Sequence, residues 1–251
     1  MDLFNLFNGN SDRPQKEYKE PTTKTGIFFD LWKRNASGMV LMNICYSLMR
    51  LVLIPGGLAS AAMAEVTGDL VRQRHYFGLT DYITAVKKSW RQALPAGLLE
   101  LLINALLIVA GGFYLTTSGT LAAFGSGCFL LATMIYSFMK YYIWTQIVLF
   151  RLPLKVIYKN ALMLTFVNFK NNLLVGAISL LCYLLAALLL FFLPSAVTLL
   201  AVLFVAVCFF PGFKQLLVQY CIFPAVRKYM IDPYYEEHPE EDVEKRKTMG
   251  L

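Results

Sequence analysis

Five charged side chains sit deep in otherwise apolar sequence: Arg50, Glu65, Glu100, Lys140 and Lys214. A charge at bilayer depth costs roughly 2.5–3.5 kcal/mol, so each one calls for a partner, a wet cavity or a route to the interface. Arg50 lies a few residues before the Pro55-Gly56-Gly57 break, and Glu65 a few after it. Folding a hairpin at that break brings the two to similar depth, and an Arg50–Glu65 ion pair is expected. Glu100 and Lys140 are placed alike in a second hairpin, nearer its basic end, and Lys214 at a comparable depth in a third. Two chemistries are open to such a set. One is a polar pocket or pathway inside a helix bundle. The other is structural, with paired charges fixing helix register and lysines snorkelling to the interface. Asn43 and Asn104 are further candidates for interhelical hydrogen bonds.

Enzymatic templates fail. The two histidines, His75 and His238, lie far apart in sequence, and no HExxH, GxSxG or phosphate-loop pattern occurs. No cofactor or metal is expected. Cys45, Cys128, Cys182, Cys208 and Cys221 all fall in apolar stretches without a CxxC pair, which suits small buried hydrophobes better than disulfides or metal ligands.

The elements that must hold these residues are apolar. Of 251 residues, 57% are hydrophobic and only 16% charged, against roughly 25% charged in a soluble domain. No charged side chain occurs over the 39 residues from Leu101 to Met139, or over the 43 from Asn171 to Phe213. A helix crosses the hydrocarbon with about 20 apolar residues, so each run is long enough for two crossings. The expected fold is therefore all-α, a polytopic membrane bundle of about six transmembrane helices in three hairpins, with interfacial helices on the cytoplasmic side. The spans are placed at about 38–54, 58–71, 95–115, 121–150, 173–193 and 196–225. The segments 26–34, 72–92 and 151–171 are the interfacial pieces. Residues 1–37 form a tail with an interfacial helix, 38–230 the membrane domain, and 231–251 a cytoplasmic tail. The start of the second span, GLASAAMA, is made of small residues that allow close helix approach, which puts it at the bundle centre. Glu65 and Asp69 also allow that helix to reach only part way across.

Charge fixes the orientation. The expected turns PGG, TTSGT and LPSA carry no charge, whereas Lys33/Arg34, Arg72/Arg74, Lys87/Lys88/Arg91, Arg151/Lys155/Lys159 and Arg227/Lys228 all fall at the opposite ends. Basic loops stay cytoplasmic, so both termini are expected inside a multi-pass protein of the plasma membrane. The net charge of +7 then belongs to the lipid headgroups, and no nucleic acid is expected as a partner. Trp32, Trp90, Arg91, Phe169 and Lys170 are candidate interface anchors. A weak repeat aligns SWRQALPAGLLELL (89–102) with NFKNNLLVGAISLL (168–181), matching Trp90 to Phe169, Arg91 to Lys170 and Gly97 to Gly176. Duplication and shared interfacial constraints explain it equally well.

Four segments carry a resemblance. They are FFDLWKRN (28–35) with Leu41 and Asn43, RQRHYFGLTDYITAVKKSWRQALPAG (72–97), IYKNAL (157–162) and FPAVRKYMIDPYYEEHPEE (223–241). In order and spacing they resemble the YesL-like family of bacterial integral membrane proteins, a family without a settled function. The chain departs from that pattern at Arg50 and at Gly56-Gly57-Leu58, where the family shows an apolar residue and a Thr-Ile-Gly-like turn. The resemblance implies a bacterial membrane protein encoded beside carbohydrate uptake transporters and glycan-degrading enzymes. It implies no catalytic or binding residue. The leading expectation is a non-enzymatic accessory subunit that packs against the permease subunits of a carbohydrate ABC transporter. The alternatives are a small autonomous transporter or channel, and a membrane-bound sensor or scaffold.

Overall fold

A computed structural model of the chain describes residues 22–72, 74 and 78–237. The expected N-terminal tail, both histidines and most of the C-terminal tail lie outside the described residues. Within them the fold is all-α, with no strand.

The first helix, α1 (Lys24–Leu51), starts at Thr23, whose hydroxyl accepts a hydrogen bond from the Gly26 amide at 3.2 Å. It runs unbroken from the expected interfacial segment into the expected first span. No helix breaker lies between Arg34 and Gly38, so the two pieces are one. A turn at Leu53–Pro55 leads to α2 (Gly56–Val71). Leu53 has φ 68° there, yet the turn is internally bonded, with the Leu53 amide on the Arg50 carbonyl and the Gly56 amide on the Leu53 carbonyl.

α2 is the centre of the bundle. Ala59, Ala61, Ala62, Met63, Ala64 and Val66 are all essentially inaccessible. Its neighbours are α1, α3 (Leu79–Thr116), α4 (Thr120–Leu149) and α8 (Phe210–Val226). The fit against α3 is closest at Gly57 and Gly97, where a Cβ on Gly57 would lie 2.5 Å from the Gly97 Cα. Small side chains here let two backbones touch.

The expected surface helix at 72–92 and third span at 95–115 form a single helix of 38 residues with Pro95 inside it, about 57 Å long at 1.5 Å per residue. Its first half packs into the core, and its second half runs with α4 as an exposed apolar hairpin closed at Thr117–Gly119. The 151–171 segment differs. It forms a separate helix, α5 (Leu154–Val167), ending at Asn168, after which α6 (Phe169–Phe192) begins. The two aligned glycines therefore have different surroundings. Gly97 meets the backbone of Gly57, whereas Gly176 meets the Phe138 ring.

After Pro194 and the N-capping Ser195 comes α7 (Ala196–Cys208), which bends by 43° at Phe209 into α8. Asn43 of α1 holds this bend, donating from Nδ2 to the Cys208 carbonyl at 2.7 Å. Asn104 makes no such contact among the described side-chain hydrogen bonds. A π-turn (Arg227–Ile231) and the short α9 (Asp232–Glu237) follow.

Among the described residues, three helices are long and apolar enough to cross a membrane: Leu79–Tyr114, Ala122–Leu149 and Phe169–Phe192. The bent α7–α8 pair makes a fourth if it is taken as one span. Six spans are not shown by length and composition among the described residues. α2 has 16 residues, about 24 Å against roughly 30 Å of hydrocarbon, and α1 is diluted by Asn35, Asn43, Ser47 and Arg50. Exposed Leu106, Ile108, Phe113, Phe124, Leu188 and Phe191 line the outer halves of α3, α4 and α6. An apolar surface of this extent is compatible with insertion into a membrane.

Candidate functional site: a charged cavity between the helices

The five charges singled out in apolar sequence sort into two groups, and the expected Arg50–Glu65 pair is not formed. Arg50 instead meets Glu100, with Nη1 3.3 Å from Oε2 and Nη2 3.5 Å from Oε1. The reason lies in the Gly57–Gly97 contact, which sets the first turn beside the middle of α3 and brings Arg50 level with Glu100. Glu65, two turns down α2, meets Lys88 of α3 at 2.6 Å.

Glu100 is buried, with its side chain 6% exposed. It has a second cation, Lys140 of α4, at 3.7 Å. Arg50 also donates to the Ser60 hydroxyl at 3.2 Å, and Ser60 in turn donates to the Gly56 carbonyl at 3.0 Å. Lys214 of α8 faces the same space. Its ammonium donates to the Tyr183 hydroxyl at 3.4 Å and stands 5.7 Å from that ring's centre. No carboxylate lies within ion-pair distance of Lys214 among the described residues. Tyr158 of α5 is near enough to Glu100 to feel its charge. Burial first, and the Glu100 charge second, push its hydroxyl up to about 12, so it remains protonated.

Arg50, Lys140 and Lys214 line one cavity of about 230 Å³ together with Tyr46, Ser60, Trp144, Tyr183 and Gln215. Several of these were not singled out from the sequence. Their signal was helical spacing, since Tyr46 lies four residues before Arg50, and Trp144 four after Lys140. Gln215 directly follows Lys214, and its Nε2 is buried without a hydrogen-bond partner.

Glu65 belongs to a second, wider cavity of about 670 Å³, with Lys88, Trp90, Arg91, Gln92 and Arg151. This one lies at the basic end of the molecule. The Gln92 amide donates to the Leu152 carbonyl at 2.9 Å, tying the first half of α3 to the connection between α4 and α5. α4 lines both cavities, with Lys140, Tyr141 and Trp144 on the smaller and Ile147, Val148 and Leu149 on the larger, where Phe150 and Arg151 follow just beyond the helix end.

The interface candidates also divide. Trp90 is 51% exposed, with the Arg91 guanidinium 5.6 Å from its ring, and Phe169 and Lys170 are exposed at the start of α6. Trp32 instead packs edge-on against Phe213 of α8 at 5.3 Å, so it joins α1 to the bundle. No group of His, Cys, Asp and Glu that could hold a metal ion occurs among the described residues. All five cysteines are free. Comparison with protein-family models, with curated proteins and with solved structures finds no match to this chain in any of the three.

Proposed function

We propose that the chain is a non-enzymatic membrane protein that admits a small solute into the Arg50–Lys140–Lys214 cavity, acting as a small carrier or channel. The observation that carries this reading is the convergence of those three cations, from three separate helices, on one space. Charges kept only for helix register would be paired and dry, and among the described residues no carboxylate lies within ion-pair distance of Lys214. In the proposed orientation the basic ends of α1, α2, α3, α4 and α8 face the cytoplasm of a bacterium. The clustering of basic residues at those ends supports it, and the Lys88–Glu65 and Gln92–Leu152 contacts hold α2, α3 and the α4–α5 connection together there. The test is flux. Vesicles carrying the purified chain should take up at least one member of a panel of labelled anionic, neutral and cationic solutes faster than empty vesicles. Lys140→Met should abolish the excess. Uptake equal to that of empty vesicles across the whole panel would sink the reading.

A second reading is the accessory subunit of a carbohydrate ABC transporter. The resemblance of segments 28–35, 72–97, 157–162 and 223–241 to the YesL-like family favours it. The exposed apolar faces of α6 and α7 would then pack against permease helices. Affinity purification in mild detergent tests this, and recovery of the chain without any permease subunit counts against it.

A further inference from the structure

Resting on the reading that the cavity takes a solute, we propose that its ligand is a small oxyanion, a phosphate or carboxylate, held by Arg50, Lys140 and Lys214. Three cations surround this space, and Glu100 is the one carboxylate that faces them among the described residues. The cluster therefore carries an excess of two positive charges inside an apolar bundle, where charge is poorly screened. Glu100 already uses one oxygen on Arg50 and the other on Arg50 and Lys140. Among the described residues no carboxylate lies within ion-pair distance of Lys214.

The uncharged lining is polar as well. Gln215 contributes to the wall beside Lys214. Tyr46 and Tyr183 add hydroxyl groups to the same wall. The unfilled capacity of the cavity is thus for acceptors carrying negative charge. A cation would be repelled by the excess charge. A neutral polyol would leave that charge uncompensated. A volume of about 230 Å³ accommodates a phosphate or a short dicarboxylate with several waters, each of about 30 Å³. Glu100 acts as a positioning residue, holding the guanidinium of Arg50 and the ammonium of Lys140 side by side.

Trp144 lines the cavity and supplies a reporter. The full chain in mild detergent is titrated with inorganic phosphate, succinate, glucose and choline, following tryptophan emission and the thermal unfolding midpoint. Phosphate or succinate should give a saturable response, and glucose and choline none. Trp144→Phe should abolish the emission change. Lys214→Gln leaves the Arg50–Glu100–Lys140 contacts in place and should weaken anion binding by about tenfold or more, while Lys214→Arg should restore it. Repeating the titration in phosphatidylcholine vesicles, with and without phosphatidylglycerol, separates the sources. Competition by phosphatidylglycerol identifies a lipid phosphate as the occupant, and its absence a free solute; both support the oxyanion. A saturable response to glucose or choline with none to either anion overturns the oxyanion and leaves the solute cavity standing. No response to any probe by either readout overturns both.

Discussion

Gly57 and Gly97 touch backbone to backbone, and a Cβ on Gly97 would lie 2.7 Å from the Gly57 Cα. Everything at the charged cavity depends on this contact, because it fixes how far the first hairpin reaches along α3. Gly97→Ala should force α2 and α3 apart and lower stability by about 1–3 kcal/mol. The effect should exceed that of Gly112→Ala, where an added Cβ meets nothing. Thermal unfolding in one detergent measures both. Equal midpoints for the two variants would show that the contact is not tight.

Glu100 should matter more than any other carboxylate in the chain. It is buried between Arg50 and Lys140, and removing one partner from a buried charge cluster costs about 3–5 kcal/mol. Glu100→Gln should approach that loss. Glu100→Gln combined with Arg50→Met should recover part of it, because one of the stranded cations is then gone. A double variant less stable than Glu100→Gln alone would show that Arg50 is not held by this pair.

How much of this was legible in the sequence follows from what each element depends on. The charge-free runs had to be apolar helices, and α4 and α6 lie almost where composition places them. The GLASAAMA stretch had to be central, since small residues have no other use at that density. The depth of the first turn was not legible. It is set by Gly57 meeting Gly97, two residues 40 apart whose contact no local pattern announces. The mispairing of Arg50 follows from it, since distance from the first turn alone matches Arg50 with Glu65. Local pattern also suggested a break between the amphipathic and apolar parts of α3, yet Pro95 alone did not end the helix. The polar wall of the cavity was half visible. Arg50, Lys140 and Lys214 stood out against apolar sequence, whereas Tyr46, Trp144 and Gln215 look like ordinary membrane-helix residues until the helices are packed.

The Glu65–Lys88 bridge should behave unlike Glu100. At 2.6 Å it is the shorter contact, but the Lys88 side chain is 64% exposed. Exposed ion pairs contribute about 0–1 kcal/mol. Lys88→Gln should therefore shift the unfolding midpoint little. A loss comparable to that of Glu100→Gln would mean that the second cavity, not the first, holds the critical charge.

A neutral network joins α4 to α6. The Tyr142 hydroxyl donates to Asn172 Oδ1 at 2.7 Å and accepts from Asn168 Nδ2 at 3.0 Å. Asn172 is fully buried, and its Nδ2 reaches the Thr165 carbonyl across the α5–α6 break. Tyr142→Phe keeps the ring but strands the Asn172 acceptor, at a cost of about 1–3 kcal/mol. Hydrogen exchange should then quicken at the start of α6 before the rest of the bundle responds. Unchanged exchange there would show that the break is held by packing alone.

The two hairpin turns should differ in their access to water. Ser118 closes the α3–α4 hairpin, about 28 Å of helix beyond Gly97 at 1.5 Å per residue. Leu53 lies in the turn beside Gly97, among Leu51, Val52 and Ile54, all apolar and exposed. In a bilayer that surface faces lipid tails, while Ser118 reaches the headgroups. Cysteines placed singly at these positions, with the five native cysteines replaced by alanine, report the difference. A membrane-impermeant maleimide should label Ser118→Cys in intact membranes and leave Leu53→Cys unlabelled, with both reacting after denaturation. Equal labelling in intact membranes would put the two turns at one depth. That would set the first turn as deep as the second and require Arg50 to leave Glu100.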